Sequence, residues 1–114
     1  MTHPTDNESW VIEEGDRVIR KKASLGMEKL TTWERLVYSL WVADYGMRNA
    51  GDLMAARMLY ADFQSLALRA AEELKLPLTR SAFSMPLDAL EEVYFEWFEA
   101  ICAEIKHAGS DPPV

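Results

Sequence analysis

Cysteine, histidine and long apolar runs are what this chain of 114 residues has least of. Its one cysteine, Cys102, excludes an intramolecular disulfide and fits a reducing, cytoplasmic setting. No apolar run approaches the roughly 18 residues of a membrane-spanning helix, so neither a span nor a membrane partner is expected. The two histidines, His3 and His107, sit near opposite ends of the chain, which leaves no basis for a zinc set or a general base. Gly-x-Gly-x-x-Gly, P-loop, Cys-x-x-Cys and nucleophile-elbow motifs are all missing. Glu104-Ile105-Lys106-His107 has the Glu-x-x-His spacing of di-metal helical bundles, but such a site needs a second copy and further carboxylates. No catalytic residue, metal site or cofactor is therefore expected. Basic residues are short as well: 12 Lys and Arg stand against 19 Asp and Glu, for a net charge of −7. That balance argues against direct nucleic-acid binding, which needs Lys and Arg to displace counterions. The opening MTHPTDNESW is polar and acidic and is expected to be neither signal nor transit peptide.

What is present is the material of one helical domain. Hydrophobic residues make up 49% of the chain, with four each of Trp, Tyr and Phe, enough for a core of its own. The periodicity predicts an all-α fold, a compact bundle of about four helices with a central antiparallel helical hairpin. The expected helices are 9–23, 32–47, 52–75 and 86–106. Residues 9–107 form the expected domain, between flexible tails at 1–8 and 108–114.

The stretch 52–75, rich in Ala, Leu, Met, Arg and Glu and free of Gly and Pro, reads as one long helix around which the rest is organised. Leu59 and Phe63 are its expected core anchors, and Arg69 and Glu73 an i,i+4 pair. Asp52 is its N-cap, and Pro77 ends it, leaving 76–85 as a loop. Thr31 and Glu34 form a capping box at the start of the preceding helix. The expected turn runs from Gly46 to Asp52, with Gly46, Asn49 and Gly51 permitting positive φ. Asp44 falls on the apolar face among Val37, Leu40, Trp41 and Met47. A carboxylate there is costly unless bonded, so Asp44 is expected to be at least half buried and tied to that turn.

Charge is unevenly distributed. In the first helix Glu13, Glu14 and Asp16 precede Arg17, Arg20, Lys21 and Lys22, an order that suits the helix dipole. In the last helix Asp88, Glu91, Glu92, Glu96 and Glu99 share one arc with Phe95, and no base offsets them before Lys106. Like charges so placed repel. The arc is either a solvated face or a docking surface in which acids steer a basic partner and Phe95 anchors it.

Leu30–Met54, LTTWERLVYSLWVADYGMRNAGDLM, resembles the opening of a bacterial family of unknown function that includes a DNA-mimic protein. That family shows Leu-Thr-x-x-Glu-Arg, a Trp-containing helix, Glu-Val-Asn-Asn-Gly-Gly and then a Phe/Gln-rich segment. Leu30, Thr31, Glu34 and Arg35 match, and Met47-Arg48-Asn49-Ala50-Gly51 stands in the place of Val-Asn-Asn-Gly-Gly. Gly46 replaces the family's Glu, and the Phe/Gln segment is absent. Leu87–Ile101 is similar to a later helix of the family. The resemblance implies an acidic all-α fold, often dimeric, in which at least one member's carboxylates imitate DNA phosphates.

Two functional expectations follow. The first is a non-enzymatic, cytoplasmic, homodimeric interaction protein presenting Asp88, Glu91, Glu92, Phe95, Glu96 and Glu99 to a protein with a basic surface; its sharpest form is a DNA mimic. The alternative is a small-molecule-binding or enzymatic domain with a pocket near Trp41, Asp44 and Tyr45.

Overall fold

Thr31 starts the helix on which the others pack. Its hydroxyl accepts from the Glu34 backbone N–H at 3.0 Å, and the Glu34 carboxylate accepts from the Thr31 N–H at 2.9 Å. Both halves of the capping box therefore form. The computed structural model describes residues 6–110. Among these lie six α-helices and no strand: α1 Asp6–Leu25, α2 Thr32–Ala50, α3 Met54–Leu59, α4 Phe63–Leu74, α5 Pro77–Phe83 and α6 Leu87–Ser110. A short 3-10 turn, Met27–Lys29, joins α1 to α2. The radius of gyration is 13.2 Å, close to the roughly 13 Å of a packed domain of about a hundred residues.

The central helix is α2 rather than the expected long helix after it. Leu36, Val37, Tyr38, Ser39, Leu40, Val42, Ala43 and Asp44 are all buried, on every side of α2. A helix covered all round must lie inside. α4, α1, α3 and, less closely, α6 pack against it, and α5 packs on α4 and α6.

The expected helix 52–75 is two helices. Tyr60 is extended, at φ −153° and ψ 103°, and separates α3 from α4. The break lets the Tyr60 ring meet Tyr38 edge-on, with centroids 5.3 Å apart, while Phe63 at the head of α4 is fully buried. It also turns Leu59 outward to 46% exposure, so Leu59 is not the core anchor the periodicity implied. The expected hairpin of two long helices becomes α2 against two shorter ones.

Residues 76–85 are not a loop. Pro77 occupies the first turn of α5, where its missing N–H costs nothing. The turn expected from Gly46 shrinks to Gly51–Leu53. α2 continues to Ala50, and Gly51 closes it in the left-handed region at φ 76° with its N–H on the Met47 carbonyl. Gly46 is instead a point of contact: a Cβ there would lie 2.7 Å from the Ala56 backbone nitrogen of α3. Gly15 of α1 likewise admits Trp41, whose ring would stand 2.3 Å from a Cβ.

Both outer helices run further than expected. Asn7 and Glu8, placed in a tail by the sequence, lie in α1, and α6 continues to Ser110. Of the two expected tails, 1–5 and 111–114 lie outside the described residues.

Candidate functional site

The acidic residues of α6 divide by task. Glu91 reaches α3, where its carboxylate accepts from the Leu53 N–H at 2.7 Å. Glu104 does the same for α5, accepting from the N–H of Leu78 at 3.1 Å, the N–H of Thr79 at 2.7 Å and the Thr79 hydroxyl at 2.6 Å. Two short helices thus receive their N-terminal carboxylates from a distant helix. Glu91 is spent on this internal bond. Glu104 is committed too, to the first turn of α5. Among the described residues no cluster of potential metal ligands occurs.

Asp88, Glu92, Phe95, Glu96 and Glu99 remain exposed. None of these four carboxylates pairs with a Lys or Arg among the described residues. Glu99 accepts from the side-chain amide of Asn7, which in turn accepts from Lys106. Phe95 is 49% exposed. One side of its ring carries the Arg48 guanidinium at 5.0 Å, which also lies 4.9 Å from Phe98.

The basic cluster of α1 is committed elsewhere. Arg17 and Lys21 bond to Glu34, at 3.1 and 2.8 Å. Arg20 pairs with Asp16, and Lys22 lies over the Tyr38 ring. Burial pushes the Glu34 carboxyl up, but Lys21, the Thr31 N–H and Arg17 outweigh it and hold it at about 2.

Asp44 is only 4% exposed, as its setting required. One partner, Arg48, belongs to the expected 46–52 segment, which is still helical there; the other, Tyr94, comes from α6. The carboxylate accepts from the Tyr94 hydroxyl at 2.9 Å and from Arg48 Nε at 3.0 Å, with no bond to the turn after α2. Arg48 continues to Glu8 at 3.4 Å. Burial raises the Asp44 carboxyl above its ordinary value; Tyr94 and Arg48 counter this and Glu8 adds to it. Tyr94, fully buried, is pushed well up by the same burial and by Asp44. Asn49 donates to the Tyr45 carbonyl at 2.8 Å, and Asp52 accepts from the Ala55 N–H at 3.0 Å.

Above Asp44 lies a cleft of about 320 Å³ lined by Glu8, Ile12, Trp41, Asp44, Tyr45, Arg48 and Asn49. Trp41 and Tyr45 stack on its wall, 5.4 Å apart at 27°. The sequence named Trp41, Asp44 and Tyr45 but missed Glu8, Arg48 and Tyr94. The i,i+4 spacing of Asp44 and Arg48 was a readable signal for Arg48; Glu8 and Tyr94 had none. Cys102 is fully buried, and that burial lifts its thiol to about 12, a value at which it is unreactive. No described helix is long and apolar enough to cross a membrane.

No family model matches this chain, and no curated protein or solved structure does either.

Proposed function

We propose that the protein is a non-enzymatic, cytoplasmic interaction domain that uses one face of α6 to engage a protein with a basic surface. The observation carrying this reading is the exposed set Asp88, Glu92, Glu96 and Glu99 around a half-exposed Phe95, none of the four acids forming a salt bridge with a Lys or Arg of the described chain, while Arg48 covers one side of the ring. The charges would steer encounter, and the ring would supply the desolvated anchor that surface charge alone does not provide. Glu91, committed to α3, drops out of the docking set. A DNA mimic that occupies a basic DNA-binding partner is the sharpest form of the proposal, and the resemblance at Leu30–Met54 supports it. The same resemblance supports a homodimer.

The test is affinity capture from the native host lysate at low and high salt, followed by surface plasmon resonance on the captured partner. Charge reversal at Glu92 and Glu96 is expected to slow association, and Phe95→Ala to speed dissociation. Binding should weaken as salt rises, since exposed charges are screened over about 8 Å at physiological ionic strength. Unchanged kinetics in both variants would reduce the face to a solubilising surface.

A second reading is favoured by the cleft over Asp44. Its volume and its aromatic wall suit a small molecule.

A further inference from the structure

The cleft between the start of α1 and the second half of α2 is biased in charge and in hydrogen-bonding character. It is lined by two carboxylates, Glu8 and Asp44, and a single cation, Arg48. Arg48 spends Nε on both oxygens of Asp44 and Nη1 on Glu8. One negative charge is left over. Of the two acids Glu8 is the more accessible, with its side chain 32% exposed against 5% for Asp44. Asn49 uses its side-chain N–H on the Tyr45 carbonyl, which leaves its Oδ1 as an acceptor. Apart from Arg48 Nη2, the remaining polar lining favours a donor that carries positive charge.

The apolar lining points the same way. The Trp41 and Tyr45 rings are stacked, and Tyr45 is 45% and Ile12 52% exposed. Ring faces attract cations. This fold uses that attraction repeatedly: Arg48 lies over Phe95 and Phe98, Lys106 over Trp10 and Lys22 over Tyr38. The Trp41–Tyr45 wall is a ring pair at which no Lys or Arg of the described chain is seated in this way. At about 320 Å³ the cleft lies at the small end of ligand sites.

We infer that this cleft binds a small organic monocation, an ammonium on an apolar or aromatic body, with the body against Trp41, Tyr45 and Ile12 and the charge toward Glu8 and Asn49 Oδ1. The inference rests on the second reading above, that the cleft is a small-molecule site. An added cation would also relieve the repulsion between Glu8 and Asp44, which Arg48 alone leaves in part.

The test is NMR titration of the full chain, following the Trp41 indole N–H, assigned by its loss in Trp41→Phe. The probes are phenethylammonium and hexylammonium as cations, 2-phenylethanol as the neutral counterpart and 3-phenylpropionate as the anion. The expected result is a saturable shift at Trp41 with both cations, while the indoles of Trp10, Trp33 and Trp97 stay in place. The anion should bind at least about tenfold more weakly, the equivalent of one decade in Kd. Glu8→Gln, at a partly exposed position outside the core, should lower cation affinity several-fold. If the alcohol and the anion bind as well as the cations, the charge assignment is overturned and the cleft stands as a neutral site. If Glu8→Gln leaves cation affinity unchanged, the role given to Glu8 is overturned. If no probe moves Trp41, the cleft is not a small-molecule site and the inference falls with it.

Discussion

Glu34 and Asp44 lie ten residues apart on α2, both nearly sealed from solvent, at 6% and 4% exposure. They titrate in opposite directions. Glu34 is held down at about 2 and Asp44 is raised. Burial pushes both up by the same physics, but Asp44 is surrounded by more of the protein and is pushed harder, and the donors around each widen the difference. Glu34 receives Lys21, Arg17 and a backbone N–H in the first turn of α2, where the helix dipole also favours an anion. Asp44 lies towards the other end of the helix. It receives one guanidinium and one phenol, and the nearby Glu8 opposes it. Depth raises a buried acid, and donor count with helix position decides whether that rise is overcome, as at Glu34, or stands, as at Asp44.

The largest expected effect comes from removing the better-supplied acid. Glu34→Gln should destabilise the fold by about 2–3 kcal/mol at neutral pH, measured by urea unfolding. The figure is moderated because the Arg17 and Lys21 side chains, 45% and 31% exposed, can turn to water. A loss below about 0.5 kcal/mol would break the comparison at its stronger end.

Acid titration should show the same contrast with its sign. Between about 2 and 4.5 the unfolded chain binds a proton at Glu34 that the folded chain does not. Stability is therefore fully present above 4.5 and is lost as pH falls through that window, by about 2–3 kcal/mol from this one group. Asp44 runs the other way. Its folded value lies above the ordinary 3.8, so the folded state holds the extra proton and stability declines as pH rises through that interval. Asp44→Asn should make the acid limb of the stability profile steeper, and Glu34→Gln should flatten it. Parallel limbs in the two variants would show that the acids do not oppose each other.

Tyr94→Phe is expected to cost about 1–2 kcal/mol, since the lost hydroxyl is one of the few donors to a buried carboxylate. It should raise the Asp44 carboxyl further, read by carbon-detected NMR titration. The smallest effect is Glu8→Gln. It should change stability by about 0.5 kcal/mol or less, as a partly exposed pair does, while lowering the Asp44 carboxyl toward its ordinary range. If the carboxyl does not move, Glu8 adds nothing to the burial that raises Asp44.

Legibility followed the range of the interactions. The Thr31–Glu34 box was readable because both members lie within one turn. Arg17 and Lys21 on Glu34 were not, because they come from another helix. The site was half visible: Trp41, Asp44 and Tyr45 share a periodic face, whereas Glu8 enters from α1 and Tyr94 from α6. The row on α6 was visible as a row. That Glu91 belongs to α3 could not be read from α6 alone. α5 was invisible as a helix for the same reason. Leu76 offers no side-chain cap, and the carboxylate that fills that place is Glu104, more than a turn of sequence away from any local pattern.

The sequence by itself determined the all-helical class, the capped start of α2, a positive-φ glycine at Gly51 and the acidic arc of α6. Each of these rests on backbone preference, side-chain spacing or composition within a few residues. Only the tertiary structure decided that α2 is the centre, that the stretch after it breaks at Tyr60, and which carboxylates face water. The break sets a short-range preference for continuous helix against the Tyr60–Tyr38 contact and the burial of Phe63. Helix propensity offers a few tenths of a kcal/mol per residue, while burying an aromatic side chain offers about 1.5–3 kcal/mol, so packing prevailed.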